Sequence, residues 1–162
     1  EFIKSTYHWE IPVCYDKKYG LDLDYISKIC KLDQDKIIQL HLNKTYTINM
    51  MGFLPGLPFL GYLDNKLNIS RRFEPRKIVF SGSIGIALRQ CVIYPKNSPG
   101  GWNLIGRTPI SIFDLRRKNP ILFSIGDTIK FIKINSKEFK SLYKKNLKEP
   151  ININSEKRKR KE

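Results

Sequence analysis

The sequence predicts a mainly β protein: a closed or nearly closed barrel with a short helical pair near its N-terminus. Three observations carry that expectation. Six short segments after Lys44 place β-branched and aromatic residues at strand spacing, with turns between them. Two short helical patterns precede them, between residues 22 and 41. From Gly52 to Pro109, glycines and prolines recur among Arg, Ser, Gln, Tyr and Trp, as in a rigid β scaffold that presents tight loops. Many short strands after a helical pair favour a barrel with the helices packed outside it or plugging one end.

Residues 7–13 (YHWEIPV) read as a first strand, with Pro12 placing it at an edge or bulge. Asp22 or Asp24 can cap a helix that carries Leu23, Ile26, Ile29 and Cys30 on one face, and Asp33 can cap a second leading to His41. The strand segments follow as TYTINMM, RKIVFSG, SIGIAL, CVIYP, PISIFD and TIKFIKI. Asn119-Pro120 and Gly126-Asp127 punctuate the last two. Residues 136–147 predict a C-terminal helix, and 152–162 a disordered basic tail. The domain organisation expected is a barrel domain over 1–134, a helical extension over 135–151, and that tail.

With 162 residues, 41% of them apolar, the chain holds about one domain with a real core. No apolar run approaches the ~20 residues that span a bilayer. The chain opens without Met in a strand-like segment, as the C-terminal part of a longer protein would. Cys14, Cys30 and Cys91 are odd in number and far apart, which predicts reduced thiols in a cytoplasmic protein and no disulfide framework or metal site. The 30 Lys and Arg against 15 Asp and Glu would attract anions, partly through the KRKRK run at 157–161. No recognition helix, zinc-finger spacing or aromatic RNA-binding pattern accompanies that charge, so a nucleic-acid partner is not expected.

Several blocks, in order, resemble a known family: IPVCYDKKYGLDLDYIS at 11–27, LHLNKTYTINMMGFLPGLPFLGYLD at 40–64, RRFEPR at 71–76, GSIGIA at 82–87, QCVIYP at 90–95 and SPGGWNLIGRTPISIFD at 98–114. They are similar to the family of 5-oxoprolinase B subunits, also described as sporulation kinase A inhibitor-like, and to half of the urea amidolyase carboxyltransferase domain. The resemblance implies a cyclophilin-like β-barrel, with a further α+β domain usually upstream. It implies work beside a homologous C subunit and a third subunit, opening 5-oxoproline to glutamate with ATP. Two alternatives come with it: a non-enzymatic inhibitor of a sensor histidine kinase, and half of a biotin-dependent urea carboxyltransferase. Where relatives tend to read GIAG-x-QTGIYP, this chain has Leu88, Arg89, Cys91 and Val92 around Gln90, which removes two glycines.

The chemical candidates centre on Arg71, Arg72, Arg76 and Arg107, because guanidinium forks match carboxylate and phosphate oxygens and stay charged on burial. Residues 66–133 hold 13 Lys or Arg against only Glu74, Asp114 and Asp127, so a small anionic substrate is expected to take up the excess. Arg72, Arg76 and Arg107 are expected to converge near Gly82–Gly85. Gly82-Ser83-Ile84-Gly85 and Ser98-Pro99-Gly100-Gly101 could each aim backbone N–H groups at an anion, with Gln90 beside them. Phe53, Pro55, Phe59, Tyr62, Tyr94 and Trp102 could line the pocket mouth. His41 is a candidate proton carrier, set against packing at a helix end; His8 has no assigned role. The chain has no Walker loop and no carboxylate pair for Mg²⁺ in its strand region, so ATP would be held largely by a partner.

Overall fold

A computed structural model describes residues 6–153 and 155–158. Its elements run β1 (Thr6–Cys14), α1 (Leu23–Cys30), α2 (Gln34–Leu42), β2 (Thr45–Met51), β3 (Pro58–Leu60), β4 (Arg76–Val79), β5 (Ser83–Ala87) and β6 (Gln90–Ile93). They continue with β7 (Ser98–Gly100), β8 (Asn103–Arg107), β9 (Thr128–Ile134), α3 (Ser136–Lys148) and β10 (Ser155–Arg158). Strands β1-β8-β5-β6-β3-β2-β9 form a ring, which a seven-residue parallel pairing of β1 with β9 closes. Closure leaves none of these seven strands as a free sheet edge, which is the physical advantage of a barrel.

Strand alternation sorts the wall into two faces. Ile11 and Val13, Tyr46 and Ile48, Ile84 and Ile86, Cys91 and Ile93, Ile105, Ile129 and Phe131 form one buried cluster, to which α1 and α2 add Leu23, Ile26, Ile37 and Ile38. The helical pair therefore belongs to the main core. On the opposite wall face, Leu57, Val79, Val92, Tyr94 and Leu104 form a second cluster. The small β4–β7 sheet contributes Val79 to it. Helix α3 starts at a capping box between Asn135 and Glu138, and its Phe139 ring lies 4.2 Å from that of Tyr19.

Several elements differ from expectation. PISIFD at 109–114 is not a strand: the Thr108 hydroxyl accepts the Ile110 N–H, and only an isolated bridge joins Phe113 to Ile121. The wall strand is instead Asn103–Arg107, inside the glycine-rich block, where Gly106 comes within 2.8 Å of the Cys14 carbonyl if given a Cβ. Pro12 is neither in an edge strand nor at a bulge. Its strand lies in the ring, at a point where β9 pairs on one side and the other partners, β10 and β8, register only through Trp9 and at Cys14. Ile29 is 53% exposed, outside the helix's buried face.

The expected disordered tail departs most. Ser155–Arg158 runs antiparallel to Thr6–Trp9, and Ile153 packs against the main core; residues 154 and 159–162 lie outside the described residues. Truncation after Glu149 should therefore cost about 1–2 kcal/mol, the worth of a partly buried Ile plus strand pairing, seen as a lower denaturant midpoint. An unchanged midpoint would show that the segment adds nothing.

The Leu88-Arg89 turn joins β5 to β6 with both residues at positive φ, 48° and 63°. Leucine here adopts the left-handed conformation that glycine favours, at a steric cost. Leu88 is 58% exposed, so glycine would lose little burial there. Leu88→Gly should stabilise the fold by about 1 kcal/mol, read as a raised melting temperature.

Candidate functional site

The second cluster builds a cleft on the outside of the barrel, about 510 Å³ in volume. Leu57, Phe59, Val92, Tyr94 and Trp102 supply its apolar surface, with Phe53, Pro75 and Pro99 around them and Arg71 and Arg72 as its charged residues. Phe59 and Trp102 meet edge to face, with centroids 5.9 Å apart. Two glycines make this packing possible. A Cβ on Gly85 would fall 2.9 Å from Trp102 Cβ and 3.2 Å from the Tyr94 ring, and one on Gly100 would collide with the Tyr94 ring and hydroxyl. Burial pushes the Tyr94 phenol above its ordinary value, against the opposing pull of a Trp102 backbone hydrogen bond and the Arg76 charge, so it stays a neutral hydroxyl.

Behind this cleft lies the residue that sequence reasoning misassigned. Asp22 stands at the N-cap position of α1, yet its carboxylate makes no cap bond. Instead it accepts Arg72 Nη1 at 2.7 Å, Arg76 Nη1 and Nη2 at 2.8 Å each, and the Leu104 N–H at 2.7 Å, while being only 3% exposed. Arg72 is held a second way, because its backbone N–H donates to the Gly101 carbonyl at 2.7 Å. One carboxylate therefore ties the helical pair, the 71–76 loop, β4 and β8 together. The second candidate, Asp24, does not cap the helix either: it lies in the first turn and accepts a hydrogen bond from Gln34. The charge count over 66–133 missed Asp22 because it lies 50 positions upstream of Arg72.

The other expected site residues divide cleanly. Phe53, Phe59, Tyr94, Trp102, Arg71, Arg72, Gly100 and Gly101 line the cleft; Pro55, Tyr62, Gln90 and Ser98 do not. The Ser98 hydroxyl turns to the Pro99 carbonyl, and Tyr62 lies under the Arg89 guanidinium. Arg76 is taken up by Asp22. Arg107 does not converge with Arg72: its Nε donates to the Ser81 carbonyl at 2.8 Å, and its guanidinium lies 5.3–5.7 Å from the Phe80, Phe139 and Tyr143 ring centroids, beneath α3. The Gly82–Gly85 anion nest does not form either. Gly82 N–H donates to Tyr94 O and Ser83 N–H to Phe80 O, while Gly85 lies in the β5 ladder.

His41 is not placed for catalysis. It is fully buried in the barrel, with Tyr15 Oη 2.6 Å from Nδ1, Cys91 Sγ 3.5 Å from Nε2, and the Phe131 ring stacked at 4.4 Å. Burial lowers its pKa to about 3 and raises that of the Cys91 thiol, so both are neutral core groups at pH 7. Among the described residues no group of three His, Cys, Asp or Glu could hold a metal, and no helix is long and apolar enough to cross a membrane.

A closed barrel with an apolar, arginine-bearing cleft on its outer wall defines the class: a mainly β barrel domain with its cleft built on the wall strands. The chain belongs to the carboxyltransferase domain, subdomain C and D, family, whose model matches residues 2–123. It is 42% identical over 130 residues to the B subunit of 5-oxoprolinase from Bacillus subtilis, covering 80% of this chain and 54% of that one. With the B subunit of 5-oxoprolinase from Haemophilus influenzae it shares 46% over 125 residues, 77% of this chain and 59% of the other. The chain thus spans little more than half the length of these relatives. The crystal structure of the K. lactis urea amidolyase contains the same fold, with a TM-score of 0.80 over 96% of this chain and 11% of that one, at 18% identity.

Proposed function

We propose that this chain is the barrel portion of one component of an ATP-dependent 5-oxoprolinase, which converts 5-oxoproline to glutamate together with a homologous C subunit and a third subunit. The observation that carries the proposal is the 42–46% identity to proteins named as 5-oxoprolinase B subunits, over the stretch that builds the cleft. The cleft suits a small ring: apolar and aromatic walls with guanidinium groups beside them. The sequence carries no Walker loop, so ATP binding is assigned largely to the partners in the assembled complex. Three free thiols, Cys14, Cys30 and Cys91, support work in a reducing cytoplasm. The likeness to urea amidolyase, at 18% identity, bears on the fold alone and favours no carboxyltransferase chemistry.

Reconstitution tests this. The protein containing this barrel, mixed with the C subunit and the third subunit, should release glutamate from 5-oxoproline only when ATP is present, and by itself it should release none. Glutamate release by the barrel protein alone, or none by the full mixture, would refute the assignment.

A further inference from the structure

We propose that the Nε–Nη2 edge of Arg72 is the receptor for a ligand carboxylate in the cleft, held in register by Asp22, and that the site takes a compact monocarboxylate whose body lies on the aromatic wall. This deepens the 5-oxoprolinase proposal and rests on it for the identity of the substrate.

A guanidinium has two outward edges, and the buried one is occupied here. Nη1 donates to Asp22, whereas Nε is buried without a hydrogen-bond partner and Nη2 makes no bond among the described residues. A buried N–H left without an acceptor costs about 1–3 kcal/mol; Arg72 lines the cleft with 31% of its side chain exposed, and a ligand oxygen that meets Nε must displace the atoms now covering it. Nε–H and one Nη2–H point in parallel, the geometry that matches both oxygens of a carboxylate. The local charge agrees: Arg72 and Arg76 share one carboxylate, leaving an excess of one positive charge. Exposed Arg71 adds a second cation to the cleft, so an anion is attracted and a bound monoanion leaves one positive charge over. The remaining lining is mostly apolar, which disfavours a polyphosphate. Asp22 is a positioning residue here: by taking Nη1 it fixes the plane of the fork.

The test is titration of the folded chain, followed by the indole N–H resonance of Trp102 in the cleft; Trp9 lies on β1 and serves as an internal control. Four probes are added separately: 5-oxoproline, its carboxamide, inorganic phosphate and ATP. The expected result is a saturating Trp102 shift with 5-oxoproline, at least tenfold weaker binding of the carboxamide and phosphate, and a tenfold or greater loss in Arg72→Lys, which keeps the charge but not the fork. Arg107→Lys, outside the cleft beneath α3, should change binding less than threefold. Equal binding of acid and amide, an unaffected Arg72→Lys variant, tighter binding of phosphate or ATP, or no Trp102 response would each overturn the inference. The 5-oxoprolinase assignment stands or falls separately, on glutamate release by the reconstituted complex.

Discussion

Asp22→Ala is expected to cost about 3–5 kcal/mol of folding stability, the loss typical of breaking a buried ion pair from one side. The carboxylate is 3% exposed and accepts four hydrogen bonds, three from Arg72 and Arg76 and one from the Leu104 amide. Removing it strands two guanidinium groups beside each other and leaves a buried backbone N–H without an acceptor. The attraction lost is only part of the cost; desolvated donors with nothing to bind supply the rest. Asp22→Asn keeps the shape but removes the charge and replaces one acceptor oxygen by a donor, so its loss should be smaller yet still clear. Urea unfolding of the three proteins measures both. A loss below about 1 kcal/mol in Asp22→Ala would mean that water enters and solvates the arginines.

The second large effect is acid sensitivity set by His41. In the unfolded chain this imidazole titrates near 6.5, whereas its burial in the barrel lowers the folded value to about 3. Between those values the unfolded chain holds a proton that the folded chain refuses. Stability therefore falls as pH drops below 6.5, at a slope approaching about 1.4 kcal/mol per pH unit. It is unaffected by this group above about pH 7. The neighbours Tyr15, Tyr46 and Cys91 have pKa values raised by burial and stay neutral throughout that window. Asp114, whose pKa Arg116 lowers, loses its contribution only as pH falls below the ordinary carboxylate value of 3.8. The difference between the parent and a His41 variant from about pH 6.5 to about pH 4 isolates the histidine's share. His41→Leu should be less stable at neutral pH, through the hydroxyl left at Tyr15, but distinctly flatter in that range. An unchanged slope would place the acid response elsewhere.

Local pattern carried much of this protein. Alternation located β1, β2, β5, β6 and β9, and the apolar spacing at 22–41 located the helical pair, because those signals concern how a segment buries its own face. The cleft aromatics were legible for a related reason: they sit among glycines, two of which, Gly85 and Gly100, have no room for a Cβ beside Tyr94 and Trp102. Strand β8 was hidden, since Asn103, Gly106 and Arg107 look like loop residues until a neighbouring strand supplies hydrogen bonds and Cys14 needs the space beside Gly106.

What the sequence alone determined is a mainly β barrel, a helical pair, the aromatic patch and an excess of arginine in need of anions. Only the tertiary structure decided which arginines meet. Arg72 and Arg76 converge on Asp22 across 50 and 54 residues, Arg107 turns beneath α3, and His41 is sealed in the core. A side chain's charge is written in its residue type. Its partner, its burial and therefore its role depend on which distant segment the closed barrel brings within about 3 Å, the reach of a hydrogen bond.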